Sequence, residues 1–165
     1  MNRARVRLLL PIGAVLTLAG IGIAGYLTTV HYADQPIVCS SIGDCELVNQ
    51  SKYASLAGVP VALLGGLAYV SMLALIAGAW LRRSATLLAA AWGIALAGFA
   101  FSMYLTYVEL FVLDAICIYC VGSASIITVL LALLSACVWL ARDEIFGEAE
   151  DGIYPQMAQV DADEG

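Results

Sequence analysis

The residues best suited to chemistry are four cysteines in two pairs. Cys117-Ile118-Tyr119-Cys120 is a Cys-x-x-Cys pair at the start of an uncharged run that ends at Ala141. Read as a helix, that run puts both sulfurs on one face of its first turn. Cys39 and Cys45 lie in the one substantial polar segment of the chain. Thiols paired in this way can exchange. A thiolate attacks a disulfide sulfur, a mixed disulfide forms, and two electrons move. A helix N-terminus beside Cys117 and Cys120 favours a thiolate, Cys117 more than Cys120. The fifth cysteine, Cys137, lies roughly 25 Å deeper along the same helix at about 1.5 Å per residue. It cannot reach the others and reads as a small apolar filler.

Four thiolates can bind zinc, but one pair opens inside an apolar helix, and no metal site is expected. Two stapling disulfides would need neither a membrane nor a second pair nearby. One pair in a loop and one at a helix mouth favour a relay. Thiols cannot send two electrons onward alone, so a cofactor must carry the next step. A lipid-soluble quinone is the natural acceptor at that depth.

The elements that position these cysteines are membrane helices. The chain is 62% hydrophobic and 12% charged, whereas soluble domains are about 45–50% apolar and about 25% charged. Membrane residence is the class that fits. The predicted fold is all-α: a four-transmembrane-helix bundle with an extracytoplasmic capping loop. Residues 1–7 form a basic N-terminus. Residues 8–141 form the bundle, with helices over about 8–30, 59–81, 85–106 and 116–141 and an outer loop over 31–58. Pro60 is expected in the first turn of the second helix, and Glu46 to Ala57 reads as a short surface helix lying over the bundle. The acidic residues 142–165 read as a cytoplasmic tail without fixed structure. An acidic tail and the lack of a basic patch argue against nucleic-acid binding.

The arginines set the orientation. With a cytoplasmic N-terminus, Arg3, Arg5, Arg7, Arg82, Arg83 and Arg142 all fall inside, and Lys52 alone falls outside, as the positive-inside rule requires. Both termini are then cytoplasmic, and the chain is a multi-pass protein of the plasma or inner membrane. Both cysteine pairs meet on the outer, oxidising face, where disulfides persist.

Several features resemble the vitamin K epoxide reductase family in its bacterial, disulfide-forming branch. They are the loop pair Cys39 and Cys45, Ser51 six residues later, Gly58-Val59-Pro60 before the second helix, and Cys117-x-x-Cys120 opening the last core helix. The order of the pairs separates the chain from DsbB-type oxidases, whose Cys-x-x-Cys comes in the first outer loop. The resemblance implies a bundle around a quinone of ubiquinone or menaquinone type. Cys39 and Cys45 would take electrons from a separate DsbA-like or thioredoxin-like protein. Cys117 would relay them, Cys120 would face the quinone, and Ser51 would sit near the quinone mouth. The other reading of Ser51 is a helix cap or surface hydroxyl.

Vitamin K reducing members carry an Asn and a Tyr that fall here near Val61 and at Ala124. Neither can donate a side-chain hydrogen bond, which weighs against the alternative of vitamin K quinone or epoxide reduction. A disulfide-stapled, non-enzymatic membrane protein is the other alternative. Glu109 reads as interfacial and solvated, with a place near the quinone or a proton-shuttling role as the second possibility. One or two of the outer tyrosines would line the quinone pocket.

Overall fold

The computed structural model describes residues 3–33, 37, 39, 44–56 and 58–163, with side chains of 3–5, 7 and 142–163 outside that description. Four helices dominate: α1 Arg3–Ala33, α3 Val61–Arg82, α4 Ala85–Phe111 and α5 Ile118–Asp163. A short helix, α2 Cys45–Gln50, and a two-stranded hairpin, β1 Ser55–Leu56 with β2 Val59–Pro60, fill the gap between α1 and α3. Spans at Leu8–Ala33, Val61–Arg82, Ala85–Phe111 and Ile118–Ala141 are long and apolar enough to cross a bilayer. The protein is therefore a multi-pass membrane protein.

The helices pack in the cyclic order α1, α3, α4, α5. Their shared core includes Leu10, Met72, Ile76, Leu130 and Leu134. On α4 the core face is made of Ala91 and Ala95, both fully buried, and such small residues let helices approach closely in lipid. Cys137 is also fully buried there, in the filler role expected of it. Trp92 donates its indole N–H to Ser135 Oγ at 2.9 Å and ties α4 to α5. Leu18, Val70, Trp80, Phe111 and Trp139 point outward and are exposed, as a lipid-facing surface requires.

Several boundaries differ from expectation. The surface helix stops at Gln50, because Ser51 leaves helical geometry as the C-cap. The chain then turns, with Ala54 N–H on the Ser51 carbonyl, into the hairpin. Gly58 takes φ +83° in the hairpin loop, a backbone state that glycine adopts without steric cost. Pro60 pairs with Ser55 as part of β2 and serves as the N-cap of α3, not as a residue of its first turn. Between α3 and α4, Arg83 adopts the left-handed conformation and Ser84 caps α4 by accepting the Leu87 N–H at 3.5 Å. Beyond Ala141 the acidic stretch continues α5 as helical backbone to Asp163. Its alanines and glutamates are favourable helix formers.

One close approach holds α1 against α3. A Cβ on Gly20 would lie 2.6 Å from Cε1 and Cζ of Tyr69, whereas one on Gly22 or Gly25 would meet nothing within 4 Å. Gly20→Ala should therefore cost about 1–3 kcal/mol through overpacking. Gly22→Ala and Gly25→Ala should not destabilise. Thermal unfolding in detergent of the three variants checks this; equal midpoints would contradict the packing described.

Candidate active site

The outer end of the bundle holds a second apolar cluster, separate from the main core. Leu27 and Val30 of α1, Ile37, Cys45 of α2 and Cys117 form its buried part, and Cys39, Tyr119 and Cys120 pack against it. Residues far apart in the chain thus bring both cysteine pairs into one cluster. Cys39 and Cys45 are joined as a disulfide with Cα atoms 6.1 Å apart. Cys117 and Cys120 are both thiols. Cys45 is fully enclosed and Cys39 half-buried.

Cys117 immediately precedes α5 and acts as its cap. Its carbonyl accepts the Val121 N–H at 3.0 Å, and its Sγ accepts the Cys120 N–H at 3.4 Å. The Cys120 thiol also donates to this sulfur, which is the main reason the Cys117 thiol is lowered to about 7. Burial opposes the shift, backbone N–H groups of Cys120 and Tyr119 assist it, and the Glu109 charge opposes it. Tyr119, between the two cysteines, rests on Tyr26 of α1 with ring centroids 5.1 Å apart. That contact fixes the first turn of α5 against α1.

Beside the thiols lies a cavity of about 500 Å³. Its walls are mostly apolar side chains such as Leu27, Met72 and Phe101, with Cys117, Cys120, Glu109 and Ser51 among its few polar members. A concave apolar space with few convergent polar groups is the usual form of a small-molecule site. Helices α1, α3, α4 and α5 form its sides, and the segment from Val48 to Leu56 covers it.

The vitamin K epoxide reductase family model matches residues 11–135. The chain belongs to the vitamin K epoxide reductase family. Membership makes it a membrane oxidoreductase whose redox chemistry runs on cysteines, in a family linked in general to quinones. The matched region contains both cysteine pairs, Ser51 and Glu109.

The structure brings all five sequence-predicted site residues of this family member to one end of the bundle. Ser51 lines the cavity and also fits the helix-cap reading, since its hydroxyl donates to the Val48 carbonyl at 2.8 Å. Val61 lines the cavity and gives it no polar group. Of the outer tyrosines considered, Tyr53 is among the lining residues.

Glu109 requires a correction. It is not a solvated interfacial residue but is only 5% exposed. Helix α4 runs to Phe111 rather than ending near Thr106, and this extra turn aims Glu109 inward. Its Oε2 accepts the Cys117 N–H at 3.3 Å. A further polar pair faces the cavity. Tyr69 hydroxyl lies 3.0 Å from Ser123 Oγ and 3.2 Å from the Ser123 carbonyl, and both residues line the cavity. The available signal was the spacing of Ser123, three residues past Cys120 and on the same helical face.

The sulfur network has a direct pH consequence. In the reduced pair, Cys117 is a thiol below about pH 7 and a thiolate above it. Thiolate ultraviolet absorbance should rise with a midpoint near pH 7 in wild type. Cys120→Ala removes the main hydrogen-bond donor, so the midpoint should move up toward the ordinary value of 9.0. An unchanged midpoint would show that Cys120 does not set Cys117.

Proposed function

We propose that the protein forms disulfides outside the cytoplasm by passing electrons from a partner's thiols through its two cysteine pairs to a membrane quinone. The observation that carries this reading is the packing of Cys39, Cys45, Cys117 and Cys120 into a single cluster beside an apolar cavity. A pair of staples would have no need of a cavity or of a lowered Cys117 thiol.

The sequence of steps follows thiol–disulfide exchange. A DsbA-like or thioredoxin-like protein, reduced by the substrate it has just oxidised, opens the Cys39–Cys45 disulfide. A loop thiolate then attacks Cys117 in the Cys117–Cys120 disulfide. A second exchange closes the loop pair again and leaves Cys117 and Cys120 as thiols. The structure has this same pairing: a closed loop pair and an open membrane pair. A bound quinone supplies the two-electron acceptor that returns the membrane pair to a disulfide. The cavity volume and its apolar walls suit a quinone ring, with Cys120 and Ser51 among the residues that would hold it.

The arginine distribution supports a cytoplasmic N-terminus and an outward-facing cysteine cluster, in the plasma or inner membrane. That orientation gives the loop pair access to secreted or periplasmic thiol proteins and an oxidising compartment. Vitamin K epoxide reduction is less favoured. Val61 and Ala124 are aliphatic, so two hydrogen-bond donors expected for that chemistry are missing.

The test is quinone reduction by purified protein with a reduced DsbA-like donor. Wild type and Cys137→Ala should turn over ubiquinone or menaquinone analogues. Cys39→Ala, Cys45→Ala, Cys117→Ala and Cys120→Ala should each fall to the uncatalysed background. Wild-type inactivity with every quinone, or full activity in any one of the four variants, would sink the two-pair relay.

A further inference from the structure

Among the described residues, Glu109 is the only buried charged side chain. Among the described residues no lysine or arginine lines the cavity it faces. An ionisable group at membrane depth is costly, and such groups mark ion and proton pathways. Two contacts define its setting. Its Oε2 accepts the Cys117 N–H at 3.3 Å, and its carboxyl lies within hydrogen-bond reach of the Cys120 thiol. It therefore touches both members of the membrane pair, one through backbone and the other through sulfur.

We infer that Glu109 is the proton station of this pair: its carboxyl gives a proton to Cys120 when the Cys117–Cys120 disulfide opens and recovers one when it closes. The inference rests on the relay reading above. In the opening step a loop thiolate attacks Cys117 Sγ. The loop-sulfur to Cys117 bond forms, and the Cys117–Cys120 bond breaks. Cys120 leaves with the bonding electron pair, and the Glu109 carboxylic acid supplies its proton, becoming a carboxylate. When the pair closes again, with a bound quinone as the two-electron acceptor, the Cys117–Cys120 bond forms and both thiol protons leave, the Cys117 proton going with the electrons to the acceptor. Glu109 carboxylate accepts the one on Cys120.

Other titratable groups near the site are less well placed. Tyr119 and Tyr26 lie against each other at the edge of the cluster. Tyr69 of α3 is bonded to Ser123. Tyr53, in the cover segment, lines the cavity and carries Lys52 against its ring at 5.1 Å. The Cys120 sulfur has Glu109 as its side-chain partner on α4.

Glutamine separates proton transfer from positioning, because its amide oxygen can still accept the Cys117 N–H but cannot carry a proton. The first readout is a reduction-induced difference infrared spectrum of the full chain in lipid, with a phosphine reductant and no quinone. Wild type should lose a protonated-carboxyl C=O band as the membrane pair opens, and Glu109→Gln should lack that band. The second readout is the rate at which electrons move from the loop pair to the membrane pair, followed by acid quench and alkylation after one equivalent of reduced donor. Glu109→Gln should slow this step roughly 100-fold, and Glu109→Asp should restore part of the rate. If the glutamine variant does not fold, a shift of the band in Glu109→Asp makes the assignment. Absence of a carboxyl band in wild type, or transfer at the wild-type rate in Glu109→Gln, would overturn the inference and leave Glu109 a backbone acceptor only. Failure of wild type itself to move electrons between the pairs would instead overturn the relay on which it rests.

Discussion

The reversal between α4 and α5 has to satisfy its backbone donors at the edge of a membrane, and it does so largely from within. Val112 and Leu113 donate to the Val108 carbonyl, Ala115 to the Glu109 carbonyl, and Cys117 to the Glu109 carboxyl. Without bulk water, unpaired backbone groups cost several kcal/mol each in hydrocarbon. The Glu109 contact therefore fixes where α5 begins. That start places Cys117 as its cap and puts Cys120 one turn further along the same face, at the cavity. The placement of Cys117 and Cys120 at the cavity wall thus rests in part on this one carboxyl.

The second constraint is closure from outside. The loop pair is held against α1 and α5 by burial of Cys45 among Leu27, Val30 and Cys117. The cover formed by α2 and the hairpin closes over the cavity. Thiol exchange needs close approach of sulfurs but also an exit for the partner-facing side. In the proposed relay, a fully enclosed Cys45 beside a half-buried Cys39 would meet both needs in one disulfide. Below this cluster the main core is plain apolar packing, and its only sulfur of the five, Cys137, is enclosed and remote from the chemistry.

Much of this was readable from residue order. The apolar runs gave four helices because a bilayer demands long uncharged segments. The two cysteine spacings gave the pairs. The details that escaped depend on tertiary contacts. Glu109 reads as interfacial by its position near a helix end, and only the extra turn of α4 directs it inward. The hairpin at Ser55–Pro60 replaces a helix because Gly58 and a Ser51 cap redirect the chain. Tyr69 and Ser123 are 54 positions apart, so no local pattern pairs them. The stretch beyond Ala141 reads as a tail because it is acidic, and composition alone did not foresee its helical backbone.

The most direct measurement is covalent. Cys120→Ala removes the resolving thiol, so an exchange that reaches Cys117 has nowhere further to go. After reduced donor is added, peptide mass spectrometry under non-reducing conditions should find Cys117 crosslinked to Cys39 or Cys45. No such crosslink, with the loop pair still closed and activity retained, would contradict the account of two pairs acting as one relay.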